Sequence, residues 1–436
     1  MGTLSQNELE KKIAVIGSGI AGVASAYYLQ RAGYQVSLFE AGSYFGGHTN
    51  TVDVSLDGHT FPVDTGFLVH NDRTYPNLVP FFEELGVEVH LSNMSFSVQH
   101  IAQQLYWAGT DLNTVFAQRK NLFNPRFYRF LKEIVRFNKN AQLYLQRCKT
   151  DLDITLRDLL EIEKFSTDFR NWYLLPMGGS IWSTPIAKML DFPAYTFLQF
   201  SMNHGLLQLT DRPQWKTVVG GCRTYVNTAL AKVDRKFLNE PVLSIHPKGN
   251  GVELATAQRE ELFDACIVCT HPPQTVEMLS GFNESVLSVL RSFRYQHNMA
   301  VLHTDESILP PKRAWSAWNY TAADDKDGSE LVSVSYLINM LQPLPTKKAV
   351  VVTLNPSKPI NPDHIIKTIS YEHPLFDSHA VMAQQRVNEL QGTDGIYFAG
   401  AWMRYGFHED GIISAKWAVN KLFKNHGNAH LTVDVK

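Results

Sequence analysis

Residues 12–40, KIAVIGSGIAGVASAYYLQRAGYQVSLFE, read as a strand, a glycine-rich turn, a helix and a second strand. Residues 12–16 are a short apolar run fit for a buried strand. Gly17-Ser18-Gly19-Ile20-Ala21-Gly22 follows at once, residues 23–32 read as a helix, and residues 35–40 read as the second strand. This is a complete βαβ unit with a dinucleotide-binding fingerprint. Gly17 makes the tight turn, Gly19 lets backbone approach a pyrophosphate, and Gly22 lets the helix pack closely on the strand. The N–H groups and partial positive charge of the helix N-terminus then face the phosphates. Glu40 ends the second strand eighteen residues after Gly22. A carboxylate there accepts hydrogen bonds from ribose hydroxyls and disfavours a 2′-phosphate, so NADP is a poor candidate.

The fingerprint alone does not separate NAD from FAD; the flanking sequence and the far end of the chain do. After Glu40 comes Ala41-Gly42-Ser43-Tyr44-Phe45-Gly46-Gly47-His48-Thr49, a second glycine pair too soon for ordinary βαβ spacing, which brings more backbone to the same pyrophosphate. Near the other end, residues 395–401 form a strand ending in small residues. Gly406-Phe407-His408-Glu409-Asp410-Gly411-Ile412-Ile413 then leads into a helix read at residues 414–423, with Asp410 or Gly411 at its start. A helix N-terminus aimed at the N1–O2 edge of an isoalloxazine stabilises its reduced, anionic form.

With these residues in view, the sequence resembles the amine-oxidase-like FAD flavoproteins, the group that includes monoamine oxidases and carotene desaturases. More narrowly, Gly46-Gly47-His48-Thr49-Asn50-Thr51, Val63-Asp64-Thr65-Gly66-Phe67, His271-Pro272-Pro273-Gln274 and Gly406-Phe407-His408-Glu409-Asp410-Gly411 resemble a bacterial subgroup described as NAD/FAD-binding proteins. That subgroup is often encoded beside cyclopropane-fatty-acid synthases, and a similar domain is fused to some of them. The resemblance spans nearly the whole chain. It implies FAD held by the two glycine loops, by Gly66 and Phe67, by the small residues around Gly400, and by Asp410, Gly411 and Ile412. It also implies that Val242 sets its backbone against the adenine, and it brings in a cyclopropane-synthase-like methyltransferase as a partner. His48 stands where monoamine oxidases carry Arg, and no Cys is placed for covalent flavin attachment, so amine oxidation is not implied.

The remaining sequence bounds these readings. At 436 residues, 44% hydrophobic and 19% charged, the chain has globular composition and is too long for one core. A formal charge of −2 gives no basic field for nucleic acid. Four cysteines make no disulfide framework, and the start lacks a signal peptide, so a reducing cytoplasm is expected. The apolar stretch at residues 13–30 is the glycine-loop helix, not a membrane span, and Met1-Gly2 with Gln6 does not complete a myristoylation signal. Residues 263–270, FDACIVCT, read as a buried strand, and the resemblance implies that it returns to the cofactor domain. Cys266 and Cys269 fall on opposite faces of it and lack a second ligand pair, so no metal is expected. Gly178-Gly179 and Gly220-Gly221 lack the spacing of a second nucleotide loop, so reduction by a bound nicotinamide is not supported.

From residue 119 to residue 149 the chain carries nine basic residues against one acid, Glu133. On a helical wheel Phe127, Phe130, Leu131, Ile134, Phe137 and Ala141 share a face opposite Arg129, Lys132, Arg136 and Lys139. Two readings stand: an ordinary helix with its apolar face in the core, or a basic amphipathic helix resting on the anionic inner face of a membrane. Dense aromatics between residues 165 and 215 suit an apolar pocket.

The expected fold is α/β, with a Rossmann-type FAD domain built from residues 1–70, 212–275 and 385–430 and a mixed α+β substrate domain from 71–211 and 276–384. The expected chemistry is FAD-dependent hydride removal from an apolar or lipid substrate, a fatty acyl chain. The alternatives are a redox-neutral double-bond isomerase and a non-catalytic flavoprotein partner of a lipid methyltransferase. His408, Tyr336 and Asn71 are the candidate catalytic side chains.

Overall fold

Lys12–Ile16 is the middle strand of a five-stranded parallel sheet in the computed structural model, which describes residues 11–208, 212–233, 235–322 and 332–436. The myristoylation-like start lies outside the described residues. Across the sheet the order is Arg235–Phe237, Gln35–Phe39, Lys12–Ile16, Ala265–Val268 and Ile396–Phe398, and every neighbouring pair runs parallel. The three central strands bury four residues each, as expected of a sheet covered on both faces. The expected returning strand is therefore present, with Ile13 opposite Ala265 and Ile16 opposite Val268.

Two helices meet at the C-terminal end of this sheet. Ile20–Arg31 begins three residues earlier than read, with Gly19 at its N-cap. His408–Asn425 begins six residues before the expected start. Asp410 accepts the Phe407 N–H at 3.0 Å and closes the first turn, so a glycine read as a boundary lies inside the helix. A Cβ on Gly411 would lie 2.5 Å from Ile20 Cγ2, so the two helix starts touch and the glycine permits it.

A second, seven-stranded mixed sheet runs Ile365–Leu375, Arg294–His303, Val351–Leu354, Ser333–Leu337, Trp318–Ala322, Phe96–His100 and Leu105–Ala108. Helices Pro125–Thr150, Leu175–Trp182 and Ala194–Asn203 pack against it through Phe127, Phe130, Phe137, Trp182, Phe197 and Phe200. The aromatic face of the basic helix is thus inside the protein, as its core-packing reading requires. Gly178 and Gly179 lie within Leu175–Trp182, where side chains of Met189, Phe197 and Val332 fill the space beside them. Gly220-Gly221 is a turn that brings the Cys222 N–H to Asp64, 2.9 Å from Oδ1. Among the described residues no helix is long and apolar enough to cross a membrane.

Candidate active site

The C-terminal ends of Lys12–Ile16, Ala265–Val268 and Ile396–Phe398 open into a crevice, the place where open α/β sheets bind ligands. A cavity of about 650 Å³ begins there, bounded by Gly19, Ile20, Ala21, Gly46, His48, Gly66, Phe67, Gly400 and His408.

The glycines divide by what a side chain would meet. At Gly22 a Cβ would sit 1.9 Å from the Gly17 carbonyl oxygen, so this residue serves the packing of helix on loop. Gly17, at φ +91°, turns the chain beside Cys269. At Gly19 a Cβ would meet nothing within 4 Å. That open volume is on the cavity side of the loop, where the fingerprint puts a pyrophosphate. The second pair packs onto the first: a Cβ on Gly47 would be 3.1 Å from Gly19 Cα.

Glu40 holds these loops together. Its carboxylate accepts from Ser18 N at 2.9 Å, Ser18 Oγ at 2.5 Å and Gly42 N at 2.7 Å, while Ser18 Oγ accepts from Gly46 N at 3.1 Å. The Glu40 backbone also bonds Phe237 and Glu240, which brings buried Val242 to the same end of the sheet. Ala41 is exposed beside Glu40. Glu40, Ala41 and Val242 do not border the cavity.

His408 is the first residue of its helix. Its Nε2 lies 2.9 Å from Thr49 Oγ1 and 3.1 Å from the Tyr225 hydroxyl, and its ring stacks on Phe67 with centroids 3.6 Å apart. Burial pulls its pKa down to about 3, so the imidazole is neutral near pH 7. With Nε2 spent on buried Thr49 and Tyr225 inside the protein, His408 positions Phe67 at the cavity wall. Asp410 is buried 3.5 Å from Arg404, and burial raises its carboxyl to about 7. Gly411 and Ile412 are buried against Ile20 behind the wall.

Two other candidates separate. Tyr336 borders the cavity, edge-on to Trp318 at 4.8 Å, and burial raises its phenol far from titration near neutral pH. Asn71 is not a pocket residue. It is fully buried, and its carboxamide is used locally, accepting from Arg73 N at 3.0 Å and Thr74 N at 2.9 Å and donating to Thr74 Oγ1 at 2.8 Å. It is a turn-former of the kind Asn often makes.

A histidine cluster on the cavity wall escaped the sequence reading. The His48 ring stacks on Tyr371 at 4.8 Å and stands edge-on to His373 at 5.2 Å. His271 Nδ1 is 3.0 Å from Glu372 Oε2, and His297 Nε2 is 3.1 Å from Oε1 of the same carboxylate. Burial and the neighbouring imidazoles hold His48 well below its ordinary range, and burial and His271 bring His373 to about 4. His48 Nε2 is buried without a partner among the described residues. Tyr371 and His373 share one face of Ile365–Leu375, and that alternation was the one signal available. All four cysteines are free; burial lifts Cys269, on the cavity wall, to about 12.

These residues fit a flavin dinucleotide. Open space stands over Gly19, two helix N-termini meet, and His48, on the wall of the same cavity, has a buried ring nitrogen with no partner among the described residues.

Comparison with known proteins agrees. Polyamine oxidase 2 of Arabidopsis thaliana is 25% identical over 263 residues, 59% of this chain and 50% of that protein. Zeta-carotene desaturase of Synechocystis sp. is 34% identical over 190 residues, 42% of this chain and 37% of its own. The match thus spans half or less of the length of these curated relatives. Among solved structures, a CLA-producing fatty acid isomerase from P. acnes superposes with a TM-score of 0.66 at 13% identity, covering 96% of this chain and 99% of that one, a likeness of fold alone. The profile of flavin-containing amine oxidoreductases matches residues 20–341. The chain is an enzyme of the flavin-containing amine oxidoreductase family.

Proposed function

We propose that the protein holds FAD without a covalent bond and oxidises or desaturates an apolar substrate, a fatty acyl chain. Gly17 to Gly22 and the Gly46-Gly47 pair packed on them would hold the phosphates, Glu40, beyond the cavity, the ribose, and His48 with the start of the His408 helix the ring system. When bound, the flavin supplies the acceptor for a hydride. The substrate gives up that hydride and a proton from the adjacent carbon, forming a C=C bond. The neutral imidazole of His48, whose Nε2 has no partner among the described residues, is the group that would take the proton, whereas His373 Nδ1 already accepts from Asn298 Nδ2 at 2.8 Å.

The observation that carries the reading is the wall of the cavity. Beyond the loops it is built from Phe96, Trp107, Leu131, Ile134, Tyr173, Met177, Phe200, Trp318 and Tyr336. Among the described lining residues the one carboxylate is Glu372, already shared by His271 and His297. A di- or polyammonium chain would leave its charges unpaired here, which is costly in an apolar site, whereas an acyl chain would not.

The test is anaerobic mixing of the flavin-loaded protein with dispersed fatty acids or phospholipids on one side and putrescine on the other. Loss of the oxidised flavin absorbance with lipid and not with the diamine supports the reading; the reverse overturns it. The resemblance of fold to a fatty acid isomerase favours one alternative, double-bond migration, which would give a product of unchanged mass without an electron acceptor.

A further inference from the structure

The helix Pro125–Thr150 carries a second stripe, on the side away from the core. Tyr128, Lys132, Val135, Lys139 and Leu143 recur at three- and four-residue steps and share one face. Tyr128, Val135 and Leu143 are 48%, 50% and 60% exposed. Packing does not explain them, because the opposite face already fills the core. At its N-terminal end the stripe continues into Leu112 and Phe123, 78% and 89% exposed. Phe116 links the two, its ring 5.7 Å from that of Tyr128, and the Tyr128 hydroxyl donates to the Leu122 carbonyl at 3.1 Å. Single exposed apolar residues are ordinary, but a continuous row of them marks an interaction surface.

The surface is positive. Lys120, Lys132 and Lys139 have no carboxylate partner among the described residues, whereas Arg126 and Arg129 share Asp168 and Arg147 holds Glu163. The one acid between residues 112 and 149, Glu133, is turned to Ser166 and Arg136. Leu112 and Val135 also border the cavity described above, so the patch is the rim of its mouth.

We propose that this patch docks the protein on an anionic lipid bilayer with the mouth of the cavity toward the membrane, so that an acyl chain enters from the bilayer without crossing water. Apolar tips at the level of the acyl boundary, with lysines reaching the phosphates beside them, suit a headgroup layer. A second copy of the chain would set these lysines against their equivalents. The docking rests on the surface alone; the passage of substrate rests on the reading of the cavity as an acyl site.

The test is sedimentation of the flavin-loaded protein with phosphatidylcholine vesicles with and without phosphatidylglycerol. Binding is expected only with the anionic lipid and weakens with salt, because the screening length falls from about 30 Å at 0.01 M to about 8 Å at 0.15 M. A lysine near such a surface contributes ~1 kcal/mol, so the double variant Lys132→Glu/Lys139→Glu should lose binding by about 25-fold or more. Phe123→Ser should lose about tenfold, the value of one buried aromatic side chain. None of the three residues borders the cavity, so flavin content and turnover of detergent-dispersed lipid should stay unchanged. Absence of binding to anionic vesicles at low salt overturns the proposal. Equal binding by wild type and variants, or self-association that the same variants abolish, does so too. If vesicle binding and its loss in the variants stand while no dispersed lipid bleaches the flavin, the functional reading falls and the docking does not.

Discussion

The two ends of the cavity are made from different materials. At the dinucleotide end the surface is largely backbone: glycines at two loops, two helix N-termini, and one carboxylate tying the loops together. At the mouth it is side chain, drawn from helices and strands far apart in sequence. Backbone recognition depends on where the chain can pass, so it is intolerant of added atoms and indifferent to most side chains. Side-chain recognition is spread over many weak contacts, and each can vary without loss of the fold. The cofactor end therefore reports the family, and in the proposed function the mouth end decides what is oxidised.

The strongest way to break this division is a pair of glycine variants. Gly22→Val forces a Cβ to within 1.9 Å of a backbone oxygen and should leave little folded protein. Gly19→Val adds its Cβ where nothing lies within 4 Å in the protein itself, at φ −58° that any residue adopts. It should fold with an unchanged circular dichroism spectrum yet purify with flavin content lowered by more than about tenfold. If both variants fail to fold, or Gly19→Val keeps full flavin, the loop is not recognising a pyrophosphate.

At the other end, Val135→Glu places a charge on the rim of the mouth. Flavin content should not change, while kcat/KM for an acyl substrate should fall by about tenfold, chiefly through KM, because an apolar chain must pass a solvated carboxylate. A fall in flavin content instead would mean that the two ends are not separable.

The histidines give a smaller effect. Burial holds His204 and His373 to about 4 and His408 to about 3, against about 6.5 in an unfolded chain. As pH falls from about 6.5 toward 4 the unfolded chain binds protons first, so the stability these residues contribute above 6.5 is lost over that window. Asp410 acts oppositely. Raised to about 7, it contributes stability below about 4 that is lost as pH rises toward 7. The melting temperature should therefore rise between pH 4 and pH 7, and rise more steeply in Asp410→Asn. A flat profile in the wild type would contradict the burial of neutral imidazoles around the site. The smallest effect belongs to Asn71→Ala, which removes a local turn: about 1 kcal/mol of stability and no change in flavin content or turnover.

Much of the cofactor half was legible because its signals are local. Gly17, Gly19, Gly22 and Glu40 sit in one continuous βαβ stretch, and residues 265–268 and 396–398 are apolar enough to read as buried strands alone. The start of the His408 helix was not legible, because its cap is a carboxylate inside the first turn and Gly411 reads as a boundary. The substrate half resisted for a different reason. Trp318 pairs in parallel with Phe96, more than two hundred residues away, and nothing near either residue announces it. The same holds for His48, Tyr371 and His373, gathered from one loop and one strand of the second sheet. For the basic helix the wheel assigned the core face correctly, but the exposed stripe of Tyr128, Val135 and Leu143 emerges only when burial is known.

The central claim, an acyl-chain cavity ending at a flavin, is most directly tested by titrating the flavin-loaded protein with saturated fatty acids of increasing length and following the flavin absorbance change. A chain buried along the apolar wall gains ~0.8 kcal/mol per CH₂, so Kd should fall about fourfold for each added carbon until the cavity is filled, with putrescine producing no shift. An affinity independent of chain length, or tighter binding of the diamine, would contradict it.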